Sequence, residues 1–226
     1  MRKETLWEAK VRENPGHSQW YIDRFAALRD EGADLHGEAR LIDAMAARGS
    51  RILDAGCGPG RVGGELARRG HRVVGVDVDP TLVAAAERDH PDGRWLVGDL
   101  TELDAVLDAG SPADRAGEPP VADPHGPFDL IVCAGNVMAF LAPGSAPEVL
   151  AGFASRLAVD GRAVVAFGAG RGYDFDAFLD DAARASLAVD ATYSTWDLRP
   201  LAADSDFLVA ILSRGPSAEP VEPGSH

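Results

Sequence analysis

The sequence predicts an α/β fold built on a doubly wound, seven-stranded sheet with one antiparallel strand. Three observations carry this. Strand-like apolar runs alternate with helical stretches from Arg51 onward. A glycine-rich turn joins the first run to the first of those helices. Two strand-like runs follow one another at the C-terminal end with no helix between them. Alternation of this kind needs a parallel sheet covered on both faces. A pair of strands joined by a short connection must be antiparallel, because a parallel pair needs a long crossover.

The elements follow in order. Tyr21, Phe25 and Leu28 recur at helical spacing, as do Leu41, Ile42, Met45 and Ala46, which places two helices ahead of the first strand. Strands are expected at Arg51–Ala55, Arg72–Val76, Arg94–Val97, Phe128–Ala134 and Arg162–Phe167. Helices are expected between them at Arg61–Arg69, Thr81–Asp89, Thr101–Ala109 and Ala146–Ala158. Phe175, Phe178, Leu179, Ala182 and Ala183 mark a last helix. The runs DATYSTWDL (190–198) and DFLVAILSR (206–214) then form a hairpin across RPLAADS. Gly110–Pro127 is rich in Pro, Gly, Ala and Asp and reads as a long flexible loop. Pro216–His226 reads as a disordered tail. The expected organisation is thus cap helices over 1–50, a core over 51–215, and the tail.

Bulk composition narrows the function classes. The chain has 226 residues, 46% of them hydrophobic and 26% charged, which suits one α/β domain. Asp and Glu number 36 against 22 Lys and Arg, for a net charge of −14. Such a surface disfavours nucleic acid and anionic membrane as partners. Two cysteines, Cys57 and Cys133, show no metal-ligand spacing and read as small buried residues. Met1–Lys10 is charged and lacks the apolar core of a signal peptide, and no apolar run is long enough to cross a bilayer, so a cytoplasmic location is expected.

The chemistry concentrates in RILDAGCGPGRVGG (51–64). Two glycine frames overlap there. Gly58, Gly60 and Gly63 spell the dinucleotide fingerprint, with Asp77 about 20 residues on. That frame starts too late after the strand and encloses Pro59, which stiffens the place where a pyrophosphate needs backbone donors. Asp54, at the strand's end, would repel a diphosphate and suit a cation. The second frame, Gly56, Gly58 and Gly60, begins directly after the strand. It suits a ligand with a positive amino group, a sulfonium and a ribose diol.

In that frame LDAGCGPG resembles the first motif of the class I S-adenosylmethionine-dependent methyltransferases, of the small-molecule type. WLVGDL (95–100) resembles the family's third-strand motif and FDLIVCAGNVMAFL (128–141) its fourth. The resemblance covers about Arg51 to Phe167 and implies a Rossmann-like sheet of order 3-2-1-4-5-7-6. It implies that Asp54, Ala55, Gly56, Cys57, Gly58 and Gly60 border S-adenosylmethionine, with S-adenosylhomocysteine as the product. Asp77 would accept from both ribose hydroxyls with Val78 beside it, and Asp99 from the adenine amino group with Leu100 at the base. Ala134 and Gly135 would lie beneath the methionine part. Trp20, Tyr21, Arg24 and Phe25 would form a lid, and Arg40 would reach the cofactor's carboxylate.

Competing structural roles exist for several of these residues. Asp99 would equally cap the helix near Thr101, Asp54 would hold the loop through backbone N–H groups, and Asp79 reads as the cap of the helix at Thr81. The acceptor site is expected from the N-terminal helices, the Asn136–Phe140 loop and the loop after strand five. Met138, Phe140, Tyr173 and Phe175 there would make an apolar pocket for a small molecule. His17, His36, Tyr173 and Asp174 are candidate bases by residue type alone, and no catalytic residue or metal is assigned. The alternatives are an NAD-dependent oxidoreductase and a non-catalytic S-adenosylmethionine-binding protein. A monomer or a homodimer fits equally well.

Overall fold

The computed structural model describes residues 2–109 and 126–215. The chain begins with three helices, α1 (Leu6–Glu13), α2 (His17–Asp30) and α3 (Gly37–Met45). Strands and helices then alternate: β1 (Arg51–Ala55), α4 (Arg61–Arg68), β2 (Arg72–Asp77), α5 (Pro80–Asp89), β3 (Arg94–Val97) and α6 (Leu103–Ala109). They continue with β4 (Phe128–Cys133), α7 (Ala146–Arg156), β5 (Leu157–Gly168) and α8 (Phe175–Arg184), and close with β6 (Leu187–Tyr193) and β7 (Phe207–Arg214). The sheet order is β3-β2-β1-β4-β5-β7-β6. β7 runs antiparallel between β5 and β6, and the other pairings are parallel. This is the expected topology. The expected loop falls largely outside the described residues, and the tail wholly so.

The sheet is buried on both faces, and its side chains alternate between them with the two-residue period of a strand. Leu53, Ile131, Ala163 and Val165 join Leu107, Val149, Phe153 and Phe178 in the core under α6, α7 and α8. Ile52, Leu130, Val132 and Val164 join Ile42, Leu66 and Val83 under α3, α4 and α5. Cys57 packs in the second core and Cys133 in the first. The two cysteines therefore sit on opposite faces of the sheet, both free and buried as expected.

β5 begins five residues earlier than expected, at Leu157, and two other elements depart further from the sequence reading. The first is α1, which that reading missed. Its signal is Thr5-x-x-Glu8: the Thr5 hydroxyl accepts from Glu8 N–H while the Glu8 carboxylate accepts from Thr5 N–H, a reciprocal capping box. The second is β6, which starts and ends earlier than expected. After Tyr193 the chain folds on itself, with Ser194 N–H donating to Arg199 O at 2.8 Å and Arg199 N–H to Thr195 Oγ1 at 3.2 Å. Leu198 takes φ of 66°. Ser and Thr side chains here offer the backbone an alternative to the ladder.

Candidate functional site

A cavity of about 450 Å³ opens at the C-terminal ends of β1 to β4. β1 lies between β2 and β4, so this is the switch point where successive crossovers leave in opposite directions, the usual crevice of an open α/β sheet. α1 and α2 roof it through Trp7, Trp20, Tyr21 and Phe25.

The floor is the turn after β1. Gly56 and Gly58 have φ of 78° and 53°, the left-handed region that disfavours side chains. A Cβ on Gly58 would stand 3.8 Å from Tyr21 Cε1, and one on Gly135 would stand 3.9 Å from the Tyr21 hydroxyl. The two glycines and Tyr21 thus bound a slot that side chains would fill. Gly60 plays another part. It has φ of 80° at the entry to α4, and its Cβ direction meets His90, Ala86 and Trp95. It closes the turn and lies outside the cavity lining. Ala55 is likewise buried in the core and does not border the cavity. Gly63, third glycine of the rejected dinucleotide frame, lies inside α4, where a Cβ would meet Asp54 Oδ2 at 2.8 Å and Trp95 at 2.9 Å. It permits close packing.

The acids divide their work. Asp54 is 2% exposed and accepts from Gly63 N–H at 2.8 Å. Burial raises its carboxyl to about 7 from an ordinary 3.8. It borders the cavity while bracing the first turn of α4, so both roles foreseen for it are present. Asp77 accepts from Gly58 N–H at 2.8 Å and from Asp79 N–H at 2.9 Å. Burial lifts it to about 6 despite those bonds. The two N–H groups fix its plane, and a carboxylate retains further lone pairs for a ligand's hydroxyls. Val78 lines the cavity beside it.

Asp99 caps the short 3-10 turn at Leu100–Glu102, accepting from Thr101 N–H and Oγ1, each at 2.9 Å. Its second oxygen accepts from Arg2 Nη1 at 2.7 Å. The cap role is therefore realised, and Leu100, Ala134 and Gly135 complete the lining near it and at the tip of β4. Asp79 caps α5 and also accepts from Trp7 Nε1 at 2.8 Å and from the Ser18 hydroxyl. One buried acid thereby ties both roof helices to the core.

Several expected residues lie elsewhere. Arg40 is exposed, pairs with Asp34 at 2.6 Å and borders a separate groove with Trp196 and Leu198. Its face of α3 looks away from the cavity. Arg24 and Arg61 are the arginines of the roof and β1 side. Arg61 is held by Glu38 at 2.6 Å and by Leu35 O at 2.7 Å. Arg24 lies 5.8 Å over the rings of Trp20 and Phe25 and pairs with no carboxylate among the described residues. Tyr173 stacks on Phe167 at 5.6 Å and donates to Asp181 at 2.9 Å; Phe175 packs on the same ring. Met138 is buried in the core. These three do not line the cavity, whereas Phe140 does. Of the four candidate bases, only His17 borders the cavity, stacked on Trp20 at 5.3 Å. Partial burial, aided by Lys10, lowers its pKa.

A left-handed glycine turn at one strand tip and a backbone-held acid at the next define a nucleoside-binding α/β site. The comparisons agree. A methyltransferase-domain family model matches residues 52–112. A solved "TehB-like SAM-dependent methyltransferase" from Corynebacterium glutamicum is 47% identical with a TM-score of 0.77, covering 89% of this chain and 100% of that one. A magnesium-protoporphyrin O-methyltransferase of Rhodobacter capsulatus is 36% identical over 96 residues, 42% of this chain and 36% of that protein. A ubiquinone biosynthesis O-methyltransferase of Xylella fastidiosa is 29% identical over 137 residues, 54% of this chain and 49% of that protein. The matches thus span about half or less of these curated relatives. The chain belongs to the class I S-adenosylmethionine-dependent methyltransferases.

Proposed function

We propose that this cavity binds S-adenosylmethionine and that the protein methylates an oxygen of a small-molecule acceptor, with S-adenosylhomocysteine as the product. The observation that carries the reading is Asp77, its plane fixed by Gly58 and Asp79 N–H groups beside a slot that a Cβ on Gly58 or Gly135 would fill. The donor set fits. Asp77 would hold the ribose diol, Asp99 the adenine edge with Leu100 against the base, and Arg24, in place of Arg40, the carboxylate. Asp54 would favour the amino group by charge.

When bound, the cofactor supplies a methyl group already activated by its sulfonium. The protein's task is alignment and exclusion of water. Trp7, Tyr21 and Phe140 wall the cavity with apolar surface. His17, kept neutral near pH 7, would take the acceptor's proton. The oxygen acceptor is supported by the curated relatives, both named as O-methyltransferases. Among the described residues no helix is long and apolar enough to cross a membrane. That fact and the two unpaired cysteines support a cytoplasmic protein.

Calorimetry with S-adenosylmethionine, S-adenosylhomocysteine and NADH tests the cofactor. Binding of the first two alone is expected, and tight NADH binding without them would overturn the reading. Transfer of labelled methyl to an acceptor panel separates an enzyme from a mere binding protein.

A further inference from the structure

The cavity is electrostatically divided. Its acids, Asp54, Asp77 and Asp99, all stand at the tips of β1, β2 and β3. The tips of β4 and β5, on the other side of the switch point, bring Asn136, Phe140 and Arg171 to the lining and no acid. The roof adds Lys10, one turn beyond Trp7, whose ring meets Phe140 at 5.6 Å. In a chain with 36 acids against 22 bases, Lys10 and Arg171 pair with no carboxylate among the described residues. Of the other cations in the lining, Arg61 is held by Glu38 and Arg24 lies over the Trp20 and Phe25 rings; elsewhere Arg12, Arg40, Arg69 and Arg156 have carboxylate partners.

Arg171 sits on a loop placed for contact. Gly170 and Gly172, on either side, have φ of 70° and 86°. The loop's base is pinned by Gly168 N–H to Asn136 Oδ1 at 2.7 Å and by Ala169 N–H to Asp206 O at 2.8 Å. Between those anchors and α8 the arginine alone reaches the cavity. Aromatic surface adjoins the same end: Trp7 and Phe140 both line the cavity, their ring centroids 5.6 Å apart. Such surface suits the flat face of an aromatic ligand.

We propose that the β4–β5 half of the cavity is the acceptor subsite and that it selects an aromatic small molecule bearing a carboxylate, with Arg171 and Lys10 as specificity-determining residues. The inference rests on reading the β1–β3 half as the cofactor's. Arg171's planar fork matches a carboxylate at two points, and Lys10 adds a point charge.

The test uses the full chain saturated with S-adenosylhomocysteine, whose own binding is first measured by calorimetry. Absence of that binding defeats the cofactor reading by itself. Apparent affinities are then read by tryptophan quenching for 4-hydroxybenzoate, 4-hydroxybenzamide and 4-hydroxybenzylamine, and for the matching 6-hydroxy-2-naphthalene set. The carboxylates should bind about tenfold or more tighter than the amides, the worth of a charge-assisted contact, and the amines weakest. R171M and K10M should erase that preference while S-adenosylhomocysteine affinity stays within about twofold. Carboxylate affinity should fall with added salt and amide affinity should not. Equal affinities, a preference for the amines, no binding of any ring, or an undiminished preference in both variants would overturn the proposal.

Discussion

Replacement of Asp54 by asparagine isolates the cost of a buried charge. In the folded protein burial raises this carboxyl from 3.8 to about 7. For an acid so raised, the protonated form is the one the fold prefers. Its contribution to stability is complete below the unfolded value and is lost as pH rises through the folded one. At about 1.4 kcal/mol per pH unit, that loss is about 4 kcal/mol between pH 4 and pH 7. D54N keeps an oxygen for Gly63 N–H and cannot ionise. Its buried amide hydrogens impose a penalty of about 1 to 3 kcal/mol, but that penalty does not vary with pH. The absolute offset between the two proteins is therefore less informative than its slope. Melting temperatures measured from pH 4 to pH 8 without ligand should diverge as pH rises, with D54N gaining on the parent. For a chain of this size 1 kcal/mol is worth about 2 to 4 °C, so the divergence should approach 10 °C. Asp77 titrates in both proteins and cancels to first order in the difference. Parallel curves would refute the reasoning, because they would mean that the folded protein does not raise the Asp54 carboxyl above its unfolded value.

Other perturbations separate the remaining roles. D77A should weaken S-adenosylmethionine binding about 100-fold, the loss of two charge-assisted hydrogen bonds, with an unchanged far-ultraviolet spectrum. Because Asp77 must be ionised to serve, affinity in the parent should also decline as pH falls through about 6. R24M should cost about tenfold in cofactor affinity and R40M nothing, since Arg40 faces another groove; calorimetry on both decides between them. H17Q should lower kcat about 100-fold and remove a limb of the kcat–pH profile whose midpoint lies below 6.5, leaving the KM for S-adenosylmethionine unchanged. R2A should lower the melting temperature by less than about 4 °C, as the ion pairs of a partly exposed arginine contribute about 1 kcal/mol, whereas W7F should raise hydrogen exchange throughout α1.

The core was legible because its elements are locally consistent. β1 and β3 fall where the apolar runs place them, and α4 and α5 are bounded by Gly60 and by the Asp79–Pro80 cap. The glycine frame was legible because Gly56, Gly58 and Gly60 all take positive φ, a demand only glycine meets cheaply. What failed depended on side-chain direction. Arg40 and Arg24 sit on consecutive helices, and nothing in helical spacing says which face meets the cavity and which meets solvent. Tyr173 and Phe175 are apolar and near the site in sequence, yet Phe167 captures both rings. α1 was hidden because its charged residues mask an amphipathic pattern, although Thr5 and Glu8 announce its start.

The roof helices explain why the N-terminal segment belongs to the site and is no mere appendage. Leu6 N–H and Trp7 N–H donate to Phe140 O at 3.0 and 3.3 Å, Trp7 and Ser18 donate to Asp79, and Arg2 meets Asp99. These contacts reach from the tip of β3 to the loop after β4, across the whole mouth. They differ in what their loss leaves behind. Asp79 is 5% exposed, so breaking its bonds to Trp7 and Ser18 strands a buried acceptor at about 1 to 3 kcal/mol each. Asp99 is 6% exposed, yet its other oxygen still accepts from Thr101 N–H and Oγ1 when Arg2 leaves, and Arg2 itself is partly exposed. A ligand whose adenine edge seeks Asp99 would take the place of Arg2 on a single oxygen and leave the Asp79 ties of both roof helices intact.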